Sequence, residues 1–557
     1  MPPRIPGSGI GLTPPTTGAA VSFPAMIKRF PLRLTLALLL MPYPLLNAQQ
    51  DRLVPAPDRR SGEGRGPFPT LTIANVIVID GTGAPPAGPM NVVIERNRIA
   101  RISGAGTPGV PPRPGAPAAA GEVIDGSGMY LMPGFVNLHA HLGDNRKAPD
   151  AEYVYKLYMA HGVTTIRGVE LAPQPFALKE KERSAANAIV APRIYNYQRP
   201  GAGWKEGVVD TPEKARAWVR WCAANGVDGM KLVAYPPRIM AALLDEGKKL
   251  GLGSTAHLEQ RGVAQMNALT AARLGLGTVT HFYGHFEALL RDYKVQPWPD
   301  NMNYNDEQLR FGQVARLWDQ IYPPGSPEWK KYLQDHLELG TIFDPTMTAY
   351  AAGRDVMRMR NADWHERYTL PSLMAFYEPN RENHGSYFFD WTVSDEIAWR
   401  NFYQVWFKLL NDYKKMGGRV TVSDDAAYIY NTWGFGIIHE MTLLQEAGFH
   451  PLEVIRAATM HGAEALHDPK GVEPQFGIVR AGMLADLVLV DQNPLRNLAV
   501  LYGTGHLRLN DGTGRTERVG GVRYTIKDGI VYDAKKLLAD VAAMVEAQKK
   551  QRGTASR

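Results

Sequence analysis

The middle of the chain alternates short apolar segments with segments of helical periodicity. Eight of the apolar segments have the length and composition of buried strands, and helical patterns separate most of them. Strands that alternate with helices form a parallel sheet, and eight such units close into a barrel. The predicted strands are residues 133–141, 163–169, 193–198, 229–235, 253–259, 278–284, 341–348 and 419–426. The pattern therefore predicts an α/β fold with a (β/α)8 TIM barrel over residues 132–471.

Two connections of this barrel are long, at about residues 285–340 and 349–418. Connections of this length inside a compact domain are usually lids, binding elements or interfaces. Because substrate specificity in barrel enzymes resides in such loops, we expect these two segments to determine it. No motif in them identifies a substrate.

Both ends of the chain carry short β patterns, at residues 71–79, 90–99 and 123–125 and again at 485–490 and 522–526. Lys527-Asp528-Gly529 is a hairpin-turn signal. We expect one small β-sandwich domain from residues 68–131 and 472–535, with the barrel inserted between its halves. Residues 536–551 are rich in Ala, Leu, Lys and Glu, which predicts a surface helix before the tail to residue 557.

Composition changes this picture little. The chain has 557 residues, 45% of them hydrophobic and 21% charged, which is ordinary for a globular protein. Its net charge of +7 comes from 62 basic and 55 acidic residues without a basic stripe, so nucleic acid is not an expected partner. Cys222 is the only cysteine, which excludes an intrachain disulfide and a cysteine zinc site.

Residues 1–48 resemble an export signal. Lys28, Arg29 and Arg33 precede an apolar stretch at residues 34–46 that is too short, and too interrupted by proline, to span a membrane. Ala48 is a plausible cleavage position, followed by a polar linker at residues 49–67. Two alternatives are compatible with the sequence: translation that starts at Met26, and an N-terminal tail that is not cleaved. We expect an exported chain, periplasmic or secreted, whose mature form has no membrane-spanning segment.

Polar side chains with metal-ligand chemistry occur at the ends of five predicted strands. His139 and His141 lie two residues apart on one strand, so both side chains point to the same face. Active sites in such barrels lie at the carboxyl ends of the strands, where these groups would converge. Nitrogen and oxygen ligands of this kind suit zinc and similar divalent ions. The candidate ligands are His139, His141, Lys231, His257, His281 and Asp424.

Neighbouring residues offer alternatives at two of these positions. His285 follows His281 by four residues and lies beyond the end of the β pattern. Asp425 adjoins Asp424 and points the opposite way if the strand continues. His439 and Glu440 lie in a predicted helix, where capping or packing is the expected role.

The motifs taken together resemble the amidohydrolase superfamily, in the branch of imidazolonepropionase-like and prolidase-like metal-dependent hydrolases. The resemblance extends from about Thr72 to Tyr532. It departs from the family pattern at Asn137, at Val422-Ser423 and at Gly168. The segments that carry it are residues 133–141, 162–167, 227–231, 256–257, 280–281, 422–424, 457–459 and 481–489.

The resemblance implies a centre of two divalent ions, with zinc as the expected metal. His139, His141 and Asp424 would hold one ion, His257 and His281 the second, and a carboxylated Lys231 would bridge them. Carboxylation needs a neutral amine, and burial among apolar groups lowers the pKa of a lysine in that direction. An unmodified Lys231 beside a single ion stays open.

The implied reaction is attack of metal-activated hydroxide on an amide, peptide or cyclic-amide carbonyl. Asp424 would act as general base and then as acid. Arg167, Tyr235 and Tyr283 lie near strand ends and are candidates for binding a substrate carboxylate or oxyanion, with ion pairing or packing as the alternative. We expect a small-molecule or dipeptide substrate, and a homo-oligomer is possible.

Three alternative functions can be distinguished from this one by features of the sequence. A deaminase of the same fold often carries Glu three residues after the fifth-strand histidine, where this chain has Gln260 and places Glu259 one residue early. A secreted binding protein would tolerate a degenerate site, but every ligand position here is filled. A serine hydrolase would need a Gly-x-Ser-x-Gly turn, which the sequence lacks.

Overall fold

The computed structural model describes residues 53–106 and 121–555. These residues form two large sheets and one sheet of two strands, His506–Asn510 and Arg515–Val519. The strands are β1 (Leu71–Val78), β2 (Ala87–Glu95), β3 (Arg98–Gly104), β4 (Glu122–Asp125), β5 (Tyr130–Pro133), β6 (Phe135–Ala140), β7 (Val163–Val169), β8 (Arg193–Gln198), β9 (Gly229–Leu232), β10 (Gly253–Ala256), β11 (Thr278–Thr280), β12 (Ile342–Asp344), β13 (Leu487–Val490), β14 (His506–Asn510), β15 (Arg515–Val519), β16 (Val522–Lys527) and β17 (Ile530–Asp533).

The larger body is the predicted (β/α)8 barrel. Strands β6 to β12 pair in parallel in sequence order. The eighth segment is reduced to a short parallel bridge between Val420 and Phe343. It nevertheless closes the ring, because the backbone N–H of Asp425 donates to the carbonyl of His139 at 3.1 Å. The predicted fold class is confirmed.

Helices cover the outside of this ring and build its two long connections. They are α1 (Ala151–Ala160), α2 (Gln174–Ala185), α3 (Pro212–Ala224), α4 (Pro237–Lys249), α5 (Ala268–Arg273), α6 (Glu307–Val314), α7 (Pro327–Glu338), α8 (Ala351–Arg354), α9 (Val356–Arg360), α10 (His365–Tyr368), α11 (Pro371–Tyr377), α12 (Val393–Lys415), α13 (Phe435–Glu446), α14 (Pro451–Ala458), α15 (Met460–His467) and α16 (Ala534–Ala555). No helix of the described ranges is both long enough and apolar enough to cross a bilayer.

The second sheet takes strands from both chain ends, as predicted. Its order is β17-β16-β13-β5-β1-β2-β3, and β4 pairs with the outer part of β1. All of these strands are hydrogen-bonded into one continuous sheet. The turn between β16 and β17 has positive φ at Asp528 (50°) and Gly529 (74°). This is the backbone of a type I′ hairpin, which explains why the sequence signal was reliable there.

The segment before the first strand packs on the body. Val54 forms a parallel bridge with Asp150, and Arg65 forms an antiparallel bridge with Val531. Residues 53–67, part of the predicted linker, are therefore held along the barrel and the small sheet. The predicted export signal at residues 1–48 lies outside the described residues and stays a prediction.

Candidate metal centre

The first strand of the barrel brings two imidazoles to its carboxyl end. His139 is the fifth residue of β6 and His141 follows its last residue. Their ring centroids are 5.3 Å apart. The same carboxylate oxygen, Oδ1 of Asp425, lies 3.7 Å from Nε2 of His139 and 3.5 Å from Nε2 of His141. The predicted His-x-His pair therefore faces one acidic group.

Three further groups from other strands reach the same point. Nζ of Lys231, on β9, lies 2.8 Å from Nε2 of His139. Nε2 of His281, directly after β11, lies 3.6 Å from Oδ2 of Asp425. The ring of His257, directly after β10, packs edge-on against that of His281 at 4.6 Å. Four histidines and one lysine of the predicted set thus converge.

The hydrogen bonds of these imidazoles show which nitrogen carries the lone pair. Thr346 donates its hydroxyl proton to the carbonyl of Pro345 at 2.7 Å, so its oxygen accepts from Nδ1 of His281. Nδ1 of His141 faces the carbonyl of Glu170 at 3.4 Å. In both residues the unprotonated Nε2 is left pointing at Asp425. Burial lowers the pKa of these two histidines well below the usual value, so both rings are neutral at pH 7.

This donor set fits a cation. Nε2 of His281 is buried and has no hydrogen-bond partner among the described residues. Two imidazole lone pairs that face one carboxylate repel it unless a positive charge lies between them. His139, His281 and Asp425 also place their ligand atoms within 4.8 Å of one another. Nitrogen and carboxylate ligands together are typical of zinc and related divalent ions.

The structure corrects the predicted aspartate. Oδ1 of Asp424 accepts hydrogen bonds from Nδ2 of Asn137 at 2.7 Å and from the hydroxyl of Tyr158 at 3.1 Å. It makes no ion pair with the histidines, whereas Asp425 contacts three of them. Asp425 is therefore the acid of this centre, and Asp424 packs beneath α1.

The reason for this correction lies in the register of the eighth segment. Ser423 and Thr421 point into the barrel, where both hydroxyls donate to Oδ1 of Asp344, at 2.5 and 2.9 Å. Side chains of an extended segment alternate, so Asp424 does not share their face. Asp425 has a left-handed backbone with φ of 43°, and its ion pairs show that its carboxylate faces the histidines. The sequence contained a signal for this register, namely the polar residues Thr421 and Ser423 at alternate positions. Such residues identify the inner face of a strand only if the barrel interior is polar.

Arg167 is a second correction. It is completely buried inside the barrel, where Nε donates to the carbonyl of Leu138 at 2.6 Å and Nη2 contacts Oδ2 of Asp344 at 3.1 Å. The same Nη2 also donates to the hydroxyl of Thr255, and Nη1 donates to the hydroxyl of Thr278, each at 3.2 Å. Arg167 therefore cross-links the strands below the site and does not face a substrate.

Arg167→Met is expected to destabilise the fold by about 3 kcal/mol, because it leaves the buried Asp344 carboxylate without its counter-ion. Urea unfolding followed by circular dichroism measures this loss. Arg261→Met is the matched control, since Arg261 is 56% exposed and should change stability by less than about 0.5 kcal/mol. An Arg167 variant of unchanged stability but raised KM would restore the substrate-binding hypothesis.

Of the two tyrosines predicted to bind substrate, one lines the cavity and the other does not. Tyr283 lines the cavity above the histidines, and its ring packs on that of His257 at 4.6 Å. Its hydroxyl oxygen accepts a hydrogen bond from Tyr350 at 3.0 Å, which leaves its own proton free to donate. Tyr235 is half-buried and is not part of the cavity wall.

The cavity above the centre has a volume of about 90 Å³. The sequence did not reveal most of its wall, because that wall comes from loops without a recognisable motif. The two long connections supply much of it, and the residue that follows β8 and the segment after Asp425 supply the rest. The residues missed in this way are Arg199, Glu307, Phe311, Tyr350, His384, Tyr387 and Tyr428.

The other sequence alternatives lie away from the cavity. Nδ1 of His285 pairs with the hydroxyl of Tyr332 at 2.6 Å, under the wall. His439 contacts the hydroxyl of Thr348 at 2.9 Å, and the Glu440 carboxylate accepts from the backbone N–H of Met347 at 3.0 Å. These residues hold the turn after β12, consistent with the expected packing role.

Comparisons with known proteins agree with this architecture. No family model matches the chain. A dihydroorotase from Thermus aquaticus is 36% identical over 226 residues, which are 38% of this chain and 41% of that protein. The chain therefore matches about two fifths of the length of this relative.

Solved structures match over a much larger part of the chain. A Xaa-Pro dipeptidase with bound methionine has a TM-score of 0.54 at 18% identity, covering 83% of this chain and 100% of its own. Bottromycin amidohydrolase has a TM-score of 0.57 at 19% identity, covering 87% and 91%. Ochratoxinase from A. niger has a TM-score of 0.53 at 14% identity, covering 84% and 96%. The chain therefore shares the fold of these dipeptidase and amidohydrolase structures, in agreement with the resemblance predicted from the sequence.

Proposed function

We propose that this protein is a metal-dependent hydrolase of carbon–nitrogen bonds in small amides. The observation that carries the proposal is the convergence of neutral imidazole lone pairs on the Asp425 carboxylate at the mouth of the barrel. The similarity to structures of a Xaa-Pro dipeptidase and an amidohydrolase supports the same reaction class.

His139, His141 and Asp425 would hold one ion, and His257 and His281 a second. When bound, such ions polarise a carbonyl and lower the pKa of water, which supplies a nucleophile near neutral pH. Lys231 is the candidate bridge. Burial lowers the pKa of its amine, so a neutral form is available to add CO₂ and release one proton, giving a carbamate with two ligand oxygens.

Asp425 is the candidate proton carrier. Burial raises the pKa of its carboxyl, which favours a group that can accept a proton and release it again. It would take the proton of the attacking water and deliver it to the leaving nitrogen. Tyr283 would donate its free hydroxyl proton to the oxygen on which negative charge develops, because Tyr350 already occupies the lone-pair side of that hydroxyl.

Amide hydrolysis is favoured over deamination by the surroundings of the fifth strand. Glu259 has a left-handed backbone with φ of 49° and pairs with Arg261 at 3.0 Å. The side chain of Gln260 accepts from Arg310 at 3.3 Å. Neither residue lines the cavity, so the proton-shuttling glutamate of a deaminase has no counterpart at this position.

The test is hydrolysis of dipeptides, N-acyl amino acids and lactams by protein loaded with zinc, cobalt or manganese. We expect release of amine from at least one class, lost on chelation and restored by metal. Chelated protein with magnesium alone is the control, since magnesium prefers an oxygen-rich shell. Carefully purified protein that takes up less than about half an equivalent of transition metal and cleaves nothing would favour the binding-protein alternative.

A further inference from the structure

Arg199 places a cation in the wall of the cavity. It directly follows β8, the third strand of the barrel, and lines the cavity together with the histidines. Its side chain is 47% exposed. Nε pairs with the carboxylate of Glu170, and the two terminal Nη nitrogens have no partner among the described residues. The guanidinium therefore keeps a two-pronged donor edge available for a ligand.

Glu170 fixes this cation relative to the metal centre. Its carboxylate pairs with Arg199, while its backbone carbonyl faces Nδ1 of His141 at 3.4 Å. Its own N–H donates to the carbonyl of Tyr197 at 2.7 Å, which ties it to β8. One residue thus holds both the guanidinium and a candidate metal ligand, so their separation is set by the scaffold.

The wall across the barrel mouth carries aromatic rings beside the paired side chains of Glu307 and His384. Phe311 stacks on Tyr387 with ring centroids 4.5 Å apart and planes at 11°. These residues belong to the connections after the sixth and seventh strands, and the seventh strand lies opposite the third in an eight-stranded ring. A ligand that spans the cavity therefore meets a cation at one end and apolar rings at the other.

We infer that the substrate is an amide with a free carboxylate, bound by Arg199, and an apolar or aromatic group, bound against the stacked pair of Phe311 and Tyr387. The planar fork of arginine matches a carboxylate with two parallel hydrogen bonds. An N-aroyl amino acid has both features on either side of the amide. This substrate class rests on the proposed function for cleavage, but the binding of the carboxylate by Arg199 does not.

Calorimetric titration with N-benzoylglycine and N-benzoylglycinamide tests the inference, because the two ligands differ only in the carboxylate. The metal-loaded protein should bind the acid about 10- to 100-fold more tightly than the amide. Arg199→Met should reduce this preference to about one, and Arg199→Lys should keep part of it, since it retains the charge and loses the fork. Arg261→Met, an exposed arginine at the same end of the barrel, should retain the full preference.

Equal binding of both ligands to the unmutated protein would overturn the inference. So would a preference that survives in Arg199→Met, since the metal centre itself would then hold the carboxylate. The two proposals fail separately. Hydrolysis without any preference for the acid rejects the role of Arg199 and retains the hydrolase, whereas an Arg199-dependent preference without hydrolysis does the reverse.

Discussion

Asp425→Asn is expected to lower kcat/KM by about 10²- to 10⁴-fold, whereas Asp424→Asn should lower it by less than about 10-fold. Asp425 loses both its proton-carrying role and its charge toward His139, His141 and His281. Asp424 uses its carboxylate to accept from Asn137 and Tyr158, and an asparagine oxygen can still accept one of these bonds. The same substitution at two adjacent aspartates is therefore expected to cause a large loss of kcat/KM at Asp425 and a small loss at Asp424.

The measurement combines turnover of any amide that the protein cleaves with metal content by plasma emission. Asp425→Asn should also bind less metal, and Asp424→Asn should bind as much as the unmutated protein. Circular dichroism of both variants controls for folding, which matters because both positions are buried. Equal losses in the two variants, or a larger loss in Asp424→Asn, would contradict the assignment of Asp425.

Lys231→Ala is expected to have the second largest effect on activity. The loss should exceed the roughly 100-fold that is typical when a residue that only hydrogen-bonds to a metal ligand is removed. Nζ of Lys231 lies 2.8 Å from Nε2 of His139, at the centre of the cluster. If its carbamate bridges two ions, the variant should bind fewer than two equivalents of metal. It should also lose the carbamate signal that ¹³C-labelled bicarbonate introduces into the unmutated protein.

Lys147 provides the matched control for this experiment. It is also buried, with Nζ 4.2 Å from the ring centroid of Tyr428 and 4.5 Å from that of Phe376, but it is not in the metal cluster. Lys147→Arg should keep the labelled signal and both ions. One bound ion and no ¹³C signal in the unmutated protein would indicate that Lys231 acts as a plain cation beside a single metal.

Local patterns were sufficient to predict the barrel and most of the side chains that converge at its mouth. The seven paired strands lie within the predicted segments, because buried parallel strands are short apolar runs between helical patterns. His139, His257 and His281 were found because each lies at a strand end, and strand ends meet at one edge of a barrel. Lys231 was found as a basic residue inside an apolar strand.

Side-chain direction in the weakest strand required the tertiary structure. The eighth segment has one bridge instead of a ladder, so no pairing pattern in the sequence sets its register. The side-chain direction of Arg167 was also ambiguous in the sequence, because an arginine at a strand end can face either a substrate or the barrel interior. The buried Asp344, on β12 and far away in sequence, decides for the interior.

The sequence by itself determined the fold class, the small sheet built from both chain ends, and which histidines and lysine converge at the mouth of the barrel. Each follows from a periodicity or a spacing of a few residues. The tertiary structure alone decided between Asp425 and Asp424, moved Arg167 into the barrel, and brought Arg199 opposite Phe311 and Tyr387. Those outcomes depend on contacts between segments separated by about a hundred residues or more, and local propensity carries no information about such contacts.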